Sequence, residues 1–443
     1  MNEQWNFKNM RSAQEFRDKL AIYGPSSAGR ASPLPVLEYD TNFGTEGKAV
    51  FDVPGHTLTW ASYITLDDKK SKFLVSVYET LRAPHDEPKY SAIVRITAQG
   101  EIDTSFGPNN DGYLQVKFEE LNYTMPDFIH EMSDGRLVIS GNIVRVEDSV
   151  YYTTPMITRL KPDGTPDPDF ANNGILDVAQ LLGMNIYKSV TTVLPNGKIL
   201  LLVLNTSDTV PHSYLVRLSE TGTLDTSFQG KGYVEIVTST NDPTYMTKSN
   251  LINNAGDIVL SGASQLDSFM TRRNADGNTE YRFGNAGVVS LPVSSFGSYD
   301  CSTDLNTSHL LVCGSSDKRA MLAHYKVTGE VEVKFNDGKP TLTDFEKGFG
   351  ESLWEKANIQ PDSAGKILTV GTGFIGATTS WSVMGRYLRT GELDHSFANG
   401  AGLGSPIDAA FFGGATAFIT TNDNRVLCPG LYQGSAAILA FKV

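Results

Sequence analysis

The sequence predicts an all-β protein: a seven-bladed β-propeller of four-stranded antiparallel blades, with a short N-terminal helix and linker in front. Three observations predict it. A motif recurs at steady spacing, short strand-like segments fill the space between copies, and turn residues recur at fixed places. The motif is Arg, then Gly five residues on, Asp or Glu three further, and Phe three further. It reads Arg95, Gly100, Asp103, Phe106, then Arg159, Gly164, Asp167, Phe170, then Arg217, Gly222, Asp225, Phe228. It continues as Arg272, Gly277, Glu280, Phe283; His324, Gly329, Glu332, Phe335; and Arg386, Gly391, Asp394, Phe397. A half-copy, Asp40 and Phe43, opens the array without its Arg and Gly.

The first element is distinct from the array. Residues 1–36 carry a capping-box signature, Ser12 with Glu15, and place Phe16 and Leu20 on one helical face before Gly24-Pro25 ends the pattern. This predicts a helix over about 13–23, then a flexible linker to Pro35, serving either as a packing strap or as a docking or targeting peptide. Residues 37–443 form the propeller, in approximate units 37–100, 101–164, 165–222, 223–277, 278–329, 330–391 and 392–443.

Within a unit the strands follow from composition. Gly112–Lys117 alternates apolar and polar residues, a less regular stretch follows at about Met125–Met132, and then come Leu137–Asn142 and Pro155–Leu160. Asp134-Gly135 and Asn196-Gly197 suit a two-residue hairpin with positive φ at both positions. Turns such as Ala98-Gln99-Gly100 and Glu220-Thr221-Gly222 suit a three-residue loop whose Gly is left-handed. Such a loop sets Arg95 across from Asp103 as a cross-strand ion pair and leaves Phe106 as an apolar plug between units. Recurrence of the pair around the array gives it a structural meaning rather than a catalytic one. The array ends at Ala440, where an Arg is due, so a closed ring brings Ala440 beside Asp40.

Leu224–Phe228 (LDTSF), Ile102–Phe106 (IDTSF), Leu393–Phe397 (LDHSF) and the GKIL stretches at Gly197–Leu200 and Gly365–Leu368 resemble the bacterial delta-60 repeat family. Repeats of that family contain L-D-x-S-F-G followed by D-G-K-I-L. The resemblance extends over about nine-tenths of the chain, and the copies with Glu280, His324 and Glu332 depart from it most. It implies a propeller-like array in bacteria, and neither a shared activity nor catalytic residues.

Composition excludes several classes. A net charge of −13, with no basic run, argues against nucleic acid as a partner. No apolar run is long enough to enter a membrane, and the N-terminus lacks an apolar signal core, so a cytoplasmic location is expected, with signal-independent secretion open. Cys301, Cys313 and Cys428 read as reduced thiols. His56, His85, His130, His212, His309, His324 and His395 have no metal-ligand spacing. The Asp-rich turns at 109–112 and 163–169 match no complete calcium loop. Gly262-Ala263-Ser264-Gln265 ends in Leu266 where a nucleophile elbow needs Gly, and no phosphate loop is present. No metal, cofactor or catalytic residue is expected.

Function is then sought where units differ. The longest excursions are Glu79–Tyr90, Val144–Thr154 and Asp344–Pro361. They and their surroundings supply the candidate ligand-binding residues Trp354, Phe349, Glu351, Tyr151, Tyr152 and Trp381, aromatic faces beside acids as sugar or peptide binding needs. The reading is a non-catalytic binding module for a protein or a glycan. The alternatives are a hydrolase or lyase with its site on the ring axis, and a secreted toxin or effector component. No aromatic recurs once per unit in the loops, which disfavours a symmetric multivalent lectin. Nothing in the sequence sets an oligomeric state.

Overall fold

The computed structural model describes residues 34–443 except 52, 54–58, 68, 70, 80–90, 119–122, 148–149, 207–211, 238–244, 252, 254–255, 264–267, 292–299, 305–308, 346–349, 361–364, 376–378, 407–417 and 422–424. The expected helix at 13–23 lies outside the described residues. The strands form seven sheets, each a blade of a ring. Blade 1 is Thr59–Leu66, Lys72–Glu79, Ser91–Thr97 and Tyr113–Val116. Blades 2 to 5 repeat that up-and-down order and span residues 123–177, 186–235, 245–291 and 300–343. Blade 6 is Glu351–Ile359, Ile367–Ile375, Thr379–Tyr387 and Leu403–Pro406. Strands are called a to d in that order. Strands a of neighbouring blades pack on one another, so strand a borders the axis and strand d the rim.

Blade 7 closes the ring. Its strands a to c are Ile419–Thr420, Arg425–Tyr432 and Ser435–Lys442, and its strand d is Lys48–Phe51 from the other end of the chain. Asp40 N–H donates to the Ala440 carbonyl at 2.8 Å, the juxtaposition the broken repeat foretells. Val36–Leu37 adds a parallel fifth strand to the rim of blade 6. The repeating unit is offset from the blade by one strand: Tyr113–Val116 opens a sequence unit but pairs with Ser91–Thr97 as strand d of the preceding blade.

The motif Phe is the plug between blades. A Cβ on Gly222 would sit 2.9 Å from the Phe170 ring, and at φ +79° only glycine is unstrained there. Phe228 meets Gly277, Phe283 meets Gly329, and Phe335 meets Gly391 in the same way. Phe43 of blade 7 meets Gly100 of blade 1, so the closing seam uses the contact of the other seams.

One turn assignment changes. Gly135 and Gly197 have φ of 81° and 79°, but Asp134 and Asn196 do not adopt positive φ. Gly135 N–H bonds the Met132 carbonyl and Met132 N–H bonds that of Arg136, each at 2.8 Å. These a–b hairpins therefore share the three-residue loop of the c–d turns. Asp134 instead accepts the Arg136 N–H through its carboxylate. The short helix Val178–Leu182, capped by Asp177 and ended by left-handed Gly183, has no counterpart in the sequence reading.

Candidate functional site

The two faces of the ring differ in chemistry. The a–b and c–d turns open on one face, and there the repeated charges form a belt. Asp103 accepts from Arg95 Nε at 2.6 Å and from Lys72 Nζ at 2.6 Å. Lys72 comes from the start of strand b, a cation sequence reading had not singled out. Asp167 is held by Arg159 and Arg136, Asp225 by Arg217 and Lys198, and Asp394 by Arg386 and Lys366. Arg95, Arg159, Arg217 and Arg386 also lie over their motif Phe, at 4.6–4.9 Å. Arg159 reaches the Glu220 carbonyl of the next blade, and Arg217 the Ala275 carbonyl at 2.7 Å. The belt thus ties each blade internally and to its neighbour.

Burial pushes the Asp103, Asp225 and Asp394 carboxyls up, but the hydrogen bonds from their cations and from Ser105, Ser227 and Ser396 outweigh it and hold them well below the carboxylate range. At blade 7, Ala440 stands where Arg is due. Arg425 from strand b takes over, 3.7 Å from Asp40, with its Nη1 on the Ala98 carbonyl at 2.9 Å and its guanidinium 5.9 Å from the Phe43 ring.

Blades 4 and 5 break the belt. In blade 4 the acid moves to strand b, and Arg272 pairs with Asp257 at 3.0 Å. In blade 5 two histidines replace the two cations. The His309 and His324 rings lie 4.7 Å apart, with Glu332 3.8 Å from His309 Nδ1 and Phe335 edge-on to His324. Neither nitrogen of buried His324 has a hydrogen-bond partner among the described residues. Burial first, then His309 and Arg389, push its pKa from 6.5 down to about 4 against the opposing pull of Glu332. The folded protein therefore binds fewer protons than the unfolded chain between those values. The His324 contribution is constant above pH 6.5 and falls as pH drops toward 4. His324→Gln is expected to remove a slope of up to ~1.4 kcal/mol per pH unit in that window. Urea titrations at a series of pH values check it, and an unchanged slope overturns it.

The opposite face carries the b–c connections and the d–a connections between blades. The strand ends that bound the three sequence excursions lie there. Glu79–Tyr90 and Val144–Thr154 span b–c connections, and Asp344–Pro361 spans the d–a connection into strand a of blade 6. The candidate aromatics fare unevenly. Trp354 is fully buried, packs 4.5 Å from Phe345, and donates its Nε1–H to the Tyr387 hydroxyl at 3.0 Å. It is core and offers a ligand no free face, because bulky strand-a side chains of this parity fill the seam between blades. Trp381 is also buried, and its Nε1 has no hydrogen-bond partner among the described residues. Glu351 is exposed at the same end of blade 6. In strand c of blade 2, Tyr151 and Tyr152 stand opposite Val146 and Arg145. Phe349 lies outside the described residues.

The axis supplies what sequence reading missed. In blades 1 to 6 the strand-a residue in the row of the motif Arg (His324 in blade 5) is Thr65, His130, Thr192, Asn250, Ser302 and Asn358, a polar row in which no single identity holds throughout. Nearer the loop face, strand a carries a β-bulge in five blades, adding Ser62, Asp127, Tyr187, Thr247 and Glu355. Asp127 and Lys188 are exposed; Glu355 and Lys356 are half-buried. Tyr63 packs 5.9 Å from Phe128, and burial, then Asp127, raise its pKa to about 12 against a Thr65 hydrogen bond, so it is a neutral phenol. The arrangement offers hydrogen bonds, both signs of charge and aromatic edges. Among the described residues no group of three His, Cys, Asp or Glu is placed to hold a metal, and no helix is long and apolar enough to cross a membrane.

Fold and belt together define a seven-bladed β-propeller built from propeller repeats. Residues 133–170 and 194–228 match a family described as domain of unknown function (DUF5122) beta-propeller. No curated protein matches the chain. Similar solved structures include a protein of unknown function from Dyadobacter fermentans, at 10% identity and TM-score 0.45, covering 77% of this chain and 98% of that one. Drosophila Semaphorin 2a has 10% identity and TM-score 0.48 over 92% and 76% of the two chains. Polysaccharide lyase Uly1 has 11% identity and TM-score 0.43 over 94% and 95%. These likenesses concern the fold alone.

Proposed function

We propose that the chain is a non-catalytic binding module that takes a protein or glycan ligand at the axial mouth of its loop face. One observation carries the reading: repeated side chains are consumed by the belt on one face, whereas the strand-a bulges toward the other face carry Ser62, Asp127, Tyr187, Thr247 and Glu355, which differ from blade to blade. A site for one asymmetric ligand needs such non-repeating groups, and Asp127, Lys188, Glu355 and Tyr63 supply them. A glycan-array screen of the full-length protein, beside a pull-down for protein ligands, tests the reading. The ligand found is expected to bind at least tenfold more weakly to Asp127→Asn/Lys188→Met, with Thr226→Ala on the belt face as the neutral control. Equal binding by the axial variant, or recovery of a bound oligosaccharide in cleaved form, overturns it.

A further inference from the structure

The internal repeat provides its own control for surface positions. The residue after the motif acid is Thr104, Pro168, Thr226 and His395 where the acid is Asp, but Tyr281 and Val333 where it is Glu. The next residue is Ser105, Asp169, Ser227 and Ser396 in the first group, but Arg282 and Lys334 in the second. In the first group the reason is visible. Ser105, Ser227 and Ser396 donate to their Asp at 2.6–2.8 Å and accept from the motif Arg at 2.9–3.2 Å. A Glu backbone sits one carbon further from its carboxylate, so the Ser cap is lost. That explains the absence of Ser and Thr in blades 4 and 5; it does not explain an aromatic, a valine and two cations.

Those replacements are on the surface. Tyr281 is 74%, Val333 64% and Val331 42% exposed, on the c–d turns of two adjacent blades. Scattered exposed apolar residues need no explanation, but these three are large, gathered on neighbouring turns, and confined to the copies that left the repeat. Arg282 and Lys334 are exposed beside them, and neither has an ion-pair partner among the described residues. Two of the nearby acids are engaged: Glu330 pairs with Lys326 at 3.2 Å, and Glu332 accepts the Lys334 backbone N–H and faces His309, while Glu280, two residues before Arg282, makes no ion pair among the described residues. Unpaired cations flanking Tyr and Val, in a chain of net charge −13, are complementary to an acidic segment with apolar side chains. Two turns are too small for the ~800 Å² per partner of a globular interface, which favours a peptide segment over a second copy.

We propose that the c–d turns of blades 4 and 5 form a second docking surface, separate from the axial mouth, for an acidic peptide segment bearing aromatic or aliphatic side chains. Tyr281 and Val333 cover the apolar side chains, while Arg282 and Lys334 meet the carboxylates. The probe is a labelled random copolymer of Glu and Tyr, with poly-Glu for charge alone and poly-Lys as the reversed charge. The full-length protein is compared with Tyr281→Thr/Arg282→Ser/Val333→Thr/Lys334→Ser, which restores the residue types of the other blades and leaves the core untouched. The Glu–Tyr copolymer is expected to bind the parent better than poly-Glu, to weaken as salt rises, and to lose at least tenfold in the variant at unchanged Tm. Equal binding by both proteins, or no binding by the parent, overturns the proposal. So does a parent dimer in sedimentation that the variant dissolves, because the occupant is then a second copy. Asp127→Asn/Lys188→Met is expected to bind the copolymer as the parent does, which keeps this outcome separate from the axial one.

Discussion

Deleting residues 1–51 is expected to abolish the folded ring. The deletion removes strand d of blade 7 and with it the hydrogen bonds of Lys48–Phe51 to Ser435–Lys442. It bares that strand as an unpaired sheet edge, the feature that recruits other chains. It also removes Phe43, Phe51, Ala49 and Leu37, all buried. Truncating one buried Phe costs ~3–5 kcal/mol, and native proteins are stable by only ~5–15 kcal/mol. The loss of two rings and a strand therefore exceeds what the fold retains. Size-exclusion chromatography and thermal melts of the 52–443 fragment check this. A soluble 52–443 fragment melting like the parent would show that the seam between blades 7 and 1 does not hold the ring.

The blade count, the ring cut and the Arg–Asp–Phe logic were legible because they repeat. A residue seen six times in one register declares a structural cause, and Ala440 opposite Asp40 followed from the one place where the repeat fails. What was not legible depends on register across strands. Lys72, Lys198 and Lys366 join the belt from strand b, and only pairing with strand c brings them to the same carboxylates. Arg425 replaces a missing Arg from a different strand, which no motif alignment foresees. The bulge at Asp127 did leave a trace, since Met125–Met132 reads as less regular than its neighbours. An inserted residue is a break in alternation, one of the signals by which a strand is read from a sequence. Trp354 misled because an aromatic among acids in a long excursion looks like a loop side chain, whereas the strand begins at Glu351 and buries it.

Arg159→Ala is expected to be the most damaging single substitution in the belt, at about 3 kcal/mol. Both partners of the Arg159–Asp167 pair are nearly inaccessible, with side chains 4% exposed. Removing one member of a buried pair costs ~3–5 kcal/mol because the other charge is left without compensation. The low end applies here because Arg136 stays 3.3 Å from the same carboxylate. The guanidinium also leaves the face of Phe170 and the Glu220 carbonyl, so the seam to blade 3 loosens with the hairpin. Arg136→Ala is the contrast: its own side chain and that of Asp134 are 29% and 50% exposed, Asp167 keeps Arg159 at 2.7 Å when it is lost, and exposed pairs contribute ~0–1 kcal/mol. Arg159→Lys keeps the charge but not the planar fork, and is expected to recover only part of the loss. The pH dependence has a defined sign. Burial raises the Asp167 pKa, but the Asp169 backbone N–H and then Arg159 lower it further, so its net shift is downward. Its contribution is full above the unfolded carboxylate pKa of ~3.9 and is lost as pH falls below it. Arg159→Ala should therefore lose most near neutrality and converge on the parent in acid. Denaturant titrations of the three variants at pH 7 and pH 3 decide it, and a loss that is equal at both pH values would exclude the ion pair as the cause.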